Sequence, residues 1–155
     1  VTAEAVHANC AIVGTIGLLI RGSAGSGKTS LCDLLIEAAS SRGNFGRLVS
    51  DDYVYLSGKG TRLLAEAPEA IRGRMEVRGF GLVEQAVDHR AQVHLVIDLQ
   101  PLSDLERLPE NRLDHVMLEG IQVPALKCPE DRPVNSMRMI RWALRALFPG
   151  NLDYI

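Results

Sequence analysis

An apolar run, Leu18-Leu19-Ile20, passes into Gly22-Ser23-Ala24-Gly25-Ser26-Gly27-Lys28-Thr29 and then into the helical-looking stretch Ser30 to Glu37. The pattern is GxxxxGK[ST] set between a predicted strand and a predicted helix, the context that separates a phosphate-binding loop from a chance match. Gly22, Gly25 and Gly27 can take positive φ without a Cβ penalty, so successive backbone N–H groups can turn inward around a polyphosphate. The helix that starts near Lys28 adds unpaired N–H groups and the positive end of its dipole. In such a loop Lys28 reaches the β- and γ-phosphates and the Thr29 hydroxyl is placed to ligate Mg²⁺. An ordinary glycine-rich turn is the competing reading, and the strand-to-helix setting weighs against it.

Around that loop the chain reads as one α/β domain over residues 1–155, with enough apolar content (46%) to bury a real core. The net charge of −2 argues against a nucleic-acid module, which displays a basic excess. No apolar run is long enough for a membrane span, and no signal peptide is recognisable, so a cytoplasmic protein is expected. Cys10, Cys32 and Cys128 are widely spaced and form no CxxC pair, which suggests neither a disulfide framework nor a zinc site.

Taken in order, residues 3 to 21 suggest a hairpin, Val6 to Val13 against Gly17 to Arg21, whose second strand delivers the phosphate loop. From Thr29, Leu31, Leu34, Leu35 and Ala38 recur at helical spacing until Ser40-Ser41-Arg42-Gly43. Arg47 to Ser50 reads as a buried strand ending in Asp51-Asp52, and Tyr53 to Leu56 continues extended into a turn at Ser57-Gly58-Lys59-Gly60. Thr61 to Ala67 is a further strand, Met75 to Arg78 alternates, and Gly79-Phe80-Gly81 marks a bend. Val93 to Leu99 is the clearest core strand. Pro101 to Arg112 is polar and loop-like, Val116 to Leu118 and Ile121 to Leu126 pair across Glu119-Gly120, and Val134 to Leu147 is an amphipathic helix.

Phosphoryl transfer needs positioning and charge neutralisation, so the carboxylates facing the loop matter next. Asp51 and Asp52 stand at the carboxyl end of a strand, where ligands gather in open α/β sheets. Adjacent residues point in different directions, so one can serve a metal ion while the other faces an acceptor hydroxyl. A solvated Asp-Asp turn is the plainer alternative. Glu76 lies among Arg72, Arg74 and Arg78, a run that also fits a charge-defended edge strand. His7 precedes the loop by 15 residues on the neighbouring strand. Arg107 and Arg112 share a polar loop, and periodicity does not choose between them.

Three segments together resemble the HPr kinase/phosphorylase family, which phosphorylates a serine of the phosphocarrier HPr and can reverse the reaction with inorganic phosphate. Gly22 to Thr29 matches its phosphate loop, Leu48-Val49-Ser50-Asp51-Asp52-Tyr53-Val54 is similar to its LVxDDxV segment, and Met75-Glu76-Val77-Arg78-Gly79-Phe80-Gly81-Leu82 to its E-[IV]-R-G-x-G signature. Weaker similarity runs through Leu95 to Leu99, Gly120 to Pro124 and Arg132 to Asn135. The resemblance implies a P-loop-containing mixed β-sheet with flanking helices, of the PEP carboxykinase-like HPr kinase catalytic class, in a short form with the C-terminal catalytic domain only.

It further implies ATP bound by Gly22, Ser23, Ala24, Gly25, Ser26, Gly27, Lys28 and Thr29, with Mg²⁺ held by Thr29, Glu76 and Asp51. Asp52 would be the base toward the acceptor serine and the acid in phosphorolysis, as microscopic reversibility requires. His7 matches the family's histidine before the loop, and Arg107 its catalytic arginine, with Arg112 as the fallback. HPr or an HPr-like carrier is the implied partner and a homo-oligomer, hexameric in the family, the implied assembly. The segment Pro129 to Pro133 is more acidic than its family counterpart, the segment linked to dephosphorylation. Two other classes stay open at this point: a small-molecule P-loop kinase and a nucleotide-sensing module without turnover.

Overall fold

A computed structural model describes residues 5–155. The first two positions of the expected alternation, residues 3 and 4, lie outside the described residues. The hairpin itself is present: β1 (Ala5–Val13) pairs antiparallel with β2 (Ile16–Arg21). β2 leads through the glycine-rich loop into α1 (Lys28–Ser41), and β3 (Gly46–Ser50) returns to pair with β1. β4 (Tyr53–Lys59) and β5 (Arg62–Glu66) form the next hairpin, followed by the small pair β6 (Arg74–Val77) and β7 (Gly81–Glu84). β8 (Arg90–Gln100), β9 (Asp114–Leu118), β10 (Ile121–Pro129) and α2 (Pro133–Leu147) complete the chain.

Eight strands make one mixed sheet, while β6 and β7 pair only with each other. The sheet closes on itself: β1 pairs β4, β4 pairs β5, β5 pairs β8, and β8 runs parallel to β2, which returns to β1. Closure leaves few edges to protect and splits the apolar residues into two cores. Inside the ring sit Cys10, Leu19, Val49, Val54, Leu63 and Val96. Outside it, Leu18, Ile20, Leu31, Leu35, Leu95, Ile97 and Ile140 pack the two helices onto the sheet. Successive strand residues point to opposite faces, so Leu18, Leu19 and Ile20 are all fully buried by alternating between the two.

One irregularity sets the register of the strand that carries the phosphate loop. The β2–β8 pairing slips between Gly17 and Leu18, from Gly17 opposite Val93 to Leu18 opposite Leu95, which leaves His94 as the extra residue of a bulge. The Gly17 N–H donates to His94 Nδ1 at 3.0 Å, replacing the ladder bond that the bulge removes. A Cβ on Gly17 would stand 1.8 Å from the Gln92 carbonyl oxygen, so only glycine fits. Beyond the bulge the inward and outward faces of β8 exchange, with Val93 in the inner core and Leu95 in the outer one.

The expected turn at residues 57–60 is a correction. β4 continues through Lys59, and Gly58 is a paired strand residue opposite Leu63. Glycine stands there because the β9–β10 turn comes close: a Cβ would meet the Glu119 carbonyl oxygen at 2.7 Å. The chain reverses at Gly60, whose φ is +63°. The bend expected at residues 79–81 is present, with Gly79 at φ +85° and Gly81 at +131°, and it joins β6 to a strand, β7, that the sequence reading did not separate. No helix among the described residues is long and apolar enough to cross a membrane.

Candidate active site

The loop between β2 and α1 has positive φ at two of the three glycines expected to take it, and Gly22 is the exception. Gly25 and Gly27 take φ of +78° and +94°, and Gly27 is the N-cap of α1. No side chain caps that helix and no acidic residue stands in its first turn, so its leading N–H groups face the loop without a competing carboxylate from α1 itself. A Cβ on Gly22 would meet Ser26 Oγ at 2.5 Å, which explains the first glycine. Lys28 is only 6% exposed, and its ammonium donates to the carbonyls of Gly22 and Ser23 at 3.0 Å each. Burial holds its pKa below the ordinary value against the opposing pull of the Asp52 and Asp51 charges. Ser26 Oγ is buried without a hydrogen-bond partner in the protein. A buried, orphaned hydroxyl in a loop that opens a helix N-terminus suits a bound phosphate chain.

Asp51 and Asp52 do different things, as adjacent residues at a strand end must. Asp51 is buried and turns toward α1. Its Oδ1 accepts from Thr29 Oγ1 at 2.7 Å and from Asn9 Nδ2 at 2.6 Å, and its Oδ2 accepts from the Glu76 N–H at 3.1 Å. Asp52 is exposed, and its Oδ1 lies 2.7 Å from His7 Nε2. Its backbone has φ +73°, with the Tyr53 N–H donating to the Asp51 carbonyl across it at 2.9 Å. That is a γ-turn of the positive-φ kind, rare and strained, and Asp tolerates it better than most residues. The turn is pinned from β1: the Asp52 N–H donates to Asn9 Oδ1 at 3.0 Å, and the Ala8 N–H donates to the Asp52 carbonyl at 2.9 Å.

Asn9 is the functional residue that the sequence reading missed. It is fully buried, and its carboxamide touches Asp51, Asp52 and, at 3.4 Å, Thr29. The available signal was its place two residues from His7 on an otherwise apolar strand, which puts both on one face. A second unforeseen contact braces the loop entry. Arg21, the last residue of β2, donates through Nε and Nη2 to the two carboxylate oxygens of Asp98 on β8 at 2.8 and 3.0 Å. Both side chains are largely buried, and the two-pronged geometry fixes the strand end from which Gly22 departs.

The remaining candidates are placed less tightly. Glu76 meets Asp51 through its backbone, and its side chain is exposed. Arg107 and Arg112 are exposed in the 101–113 connection, and among the described residues no ion pair joins either to the loop or to the two aspartates. No group of three or more His, Cys, Asp or Glu residues comes together as a metal site among the described residues. The donor set is instead a hydroxyl and a carboxylate 2.7 Å apart beside an anion cradle, Thr29 and Asp51. That suits Mg²⁺, which keeps several waters and takes the rest of its ligands from phosphate oxygens.

Comparison with known proteins gives a consistent picture. The family described as HPr Serine kinase C-terminal domain matches residues 1–148. The chain is 33% identical over 138 residues to an HPr kinase/phosphorylase of Chloroherpeton thalassium, covering 79% of this chain and 37% of that protein. It is 33% identical over 151 residues to one of Geobacillus thermodenitrificans, covering 88% of this chain and 45% of that protein. The chain thus spans less than half the length of these curated relatives. Among solved structures, the Hpr(Ser) kinase/phosphatase from Coxiella burnetii superposes with a TM-score of 0.78 at 28% identity, over 95% of this chain and 99% of that one.

Proposed function

Because the chain belongs to the HPr Serine kinase C-terminal domain family, we propose that it is an ATP- and Mg²⁺-dependent protein serine kinase acting on HPr or an HPr-like phosphocarrier in the cytoplasm. The observation that carries this reading is a single network. Thr29 of the phosphate loop, Asp51, Asn9, Asp52 and His7 are joined by successive hydrogen bonds of 2.7, 2.6, 3.0 and 2.7 Å. A hydroxyl and a carboxylate for the metal are thereby tied to a second, exposed carboxylate free to meet a substrate.

In this reading Lys28 exchanges its bonds to the Gly22 and Ser23 carbonyls for phosphate oxygens, and the loop N–H groups from Gly22 to Thr29 hold the remainder of the chain of phosphates. Mg²⁺ would be held by Thr29 and Asp51, with Glu76 as a further ligand, and when bound it neutralises charge on the transferring group. Asp52 accepts the proton of the acceptor serine, and His7 orients the Asp52 carboxylate from 2.7 Å. Arg107 would approach from the 101–113 connection as a charge-stabilising arginine. In the reverse direction, with inorganic phosphate as attacking group, Asp52 returns its proton to the leaving serine. A homo-oligomer, hexameric by family resemblance, is the assembly that goes with this reading.

The test is to incubate the purified protein with ATP, Mg²⁺ and an HPr-like protein and to locate the phosphorylated residue by mass spectrometry. Asp52→Asn is expected to keep nucleotide binding and abolish transfer, and Lys28→Ala to lose both. Transfer to small metabolites instead of a protein, or control of a partner that survives Asp52→Asn, would replace the proposal by a metabolite kinase or by a nucleotide sensor.

A further inference from the structure

The connection between β10 and α2 brings a carboxylate to the wall of the anion cradle. Asp131 has φ +55°, a left-handed conformation that costs a non-glycine residue energy. It is held there by its own N–H, which donates to the Ser26 carbonyl at 2.9 Å, and by the preceding Glu130 N–H, which donates to the Gln100 carbonyl at 2.8 Å. The residue is thus fastened to the phosphate loop on one side and to β8 on the other. It lies directly against Gly27: a Cβ there would stand 3.1 Å from Asp131 Oδ1, 3.4 Å from its N and 3.5 Å from its Cα. Arg132 shares with Gly27, Ser30 and Ser136 the wall of a cavity of about 140 Å³, yet no ion pair joins it to Asp131 among the described residues.

A carboxylate seated on the residue that opens α1 opposes the positive field of that helix end, on which anion binding depends. The two backbone hydrogen bonds keep it there in spite of its strained φ, so the opposition is built in. Resting on the nucleotide-binding reading above, we propose that Asp131 is a specificity-determining residue of the phosphate loop: it raises the energy of bare polyanions more than that of metal-complexed ones, so that the loop selects triphosphate carrying its divalent ion. The physical basis is that Coulomb repulsion scales with ligand charge, and a magnesium-bound triphosphate carries about half the net charge of the free one. The same charge would work against inorganic phosphate as a ligand.

Isothermal titration of the whole protein with ATP, once in excess Mg²⁺ and once in EDTA at equal ionic strength, tests this without relying on turnover. Asp131→Asn removes the charge and keeps the shape, whereas Asp131→Gly removes the side chain and suits the positive φ. Both retain the N–H bond to Ser26. Each is expected to tighten metal-free ATP more than magnesium-bound ATP, with the logarithm of the fold-change about twice as large for the metal-free ligand, because the repulsion scales with ligand charge. An unchanged ratio of the two affinities in both variants, or equal shifts for both ligands, overturns the proposal. Lys28→Ala separates the underlying reading: if it leaves both affinities as they were, the loop is not the nucleotide site and the inference falls with it. A loss on Lys28→Ala with an unchanged ratio in the Asp131 variants refutes the role of Asp131 alone.

Discussion

Replacing Asn9 by alanine tests whether the site is held from β1 as its geometry indicates. The wild-type carboxamide donates to the Asp51 carboxylate at 2.6 Å and accepts from the Asp52 N–H at 3.0 Å, in a fully buried position. A hydrogen bond to a charged group contributes about 1.5–3 kcal/mol, and a buried donor left unpaired costs about 1–3 kcal/mol. With some relief from water entering the space, the expected loss is about 3–4 kcal/mol. In a domain of this size each kcal/mol moves Tm by about 2–4 °C, so thermal unfolding followed by circular dichroism should shift down by about 10 °C. The γ-turn at Asp52 loses its anchor as well, and kcat for transfer should fall at least about tenfold while ATP affinity changes less. Asn9→Asp separates shape from charge. It keeps the acceptor for Asp52 but sets a second carboxylate beside Asp51, a pair that must share a proton. Its folded pKa is therefore raised, so the variant approaches wild-type stability as pH falls toward 5 and departs from it as pH rises. A Tm for Asn9→Ala within about 2 °C of wild type, together with unaltered kcat, would refute the reasoning.

Gly17→Ala forces a Cβ to within 1.8 Å of the Gln92 carbonyl, so it should cost about 3 kcal/mol or more in urea unfolding, whereas Gly25→Ala, with nothing within 4 Å, should lose only the modest cost of its positive φ. Burial lowers the His94 pKa below its ordinary 6.5, so the folded protein takes up this proton less readily than the unfolded chain. Stability from this residue is complete above about pH 6.5 and drains away as pH falls further; His94→Asn, which keeps an acceptor for Gly17, should flatten the urea midpoint between pH 5 and 7. Burial raises the Cys10 and Cys128 thiols to about 12, so iodoacetamide at pH 8 should leave both unmodified in the native protein and label them on denaturation; labelling of either without denaturant would contradict the packing described.

Much of this arrangement was legible wherever a local rule governs. The phosphate loop, the helix after it, the Glu119-Gly120 hairpin and the final helix follow from glycine placement and apolar period, and the structure has them where those signals put them. Legibility failed where a distant strand decides. Gly58 looks like a turn residue until the Glu119 carbonyl is seen against it. Ring closure by β8 against β2 needs a bulge at His94, and nothing in the residues around 94 announces one. Asn9 reads as a polar interruption of a strand because its partners lie 42 and 43 residues away in the chain. The aspartate pair was recognised, but its division into an inward Asp51 and an outward Asp52 depends on a backbone turn that no composition rule specifies. Arg107 rests on resemblance in a stretch with no period to place it, and among the described residues no ion pair fastens it to the loop.

The separate pairing of β6 with β7 has a mechanical meaning. The five strands of the closed circuit, β1, β2, β4, β5 and β8, each carry ladders on both sides, and β3, β10 and, through β10, β9 are laddered onto it, whereas this hairpin shares no rungs with the sheet and touches the aspartate network through the Glu76 amide. Two-stranded units have little cohesion of their own, and Met75, tucked beneath, is the chief apolar tether on β6. The laddered part of the fold therefore frames Asp51 and Asp52 and the least-tied part carries Glu76, so in the proposed site the Glu76 ligand would be the first to let go when spent nucleotide departs.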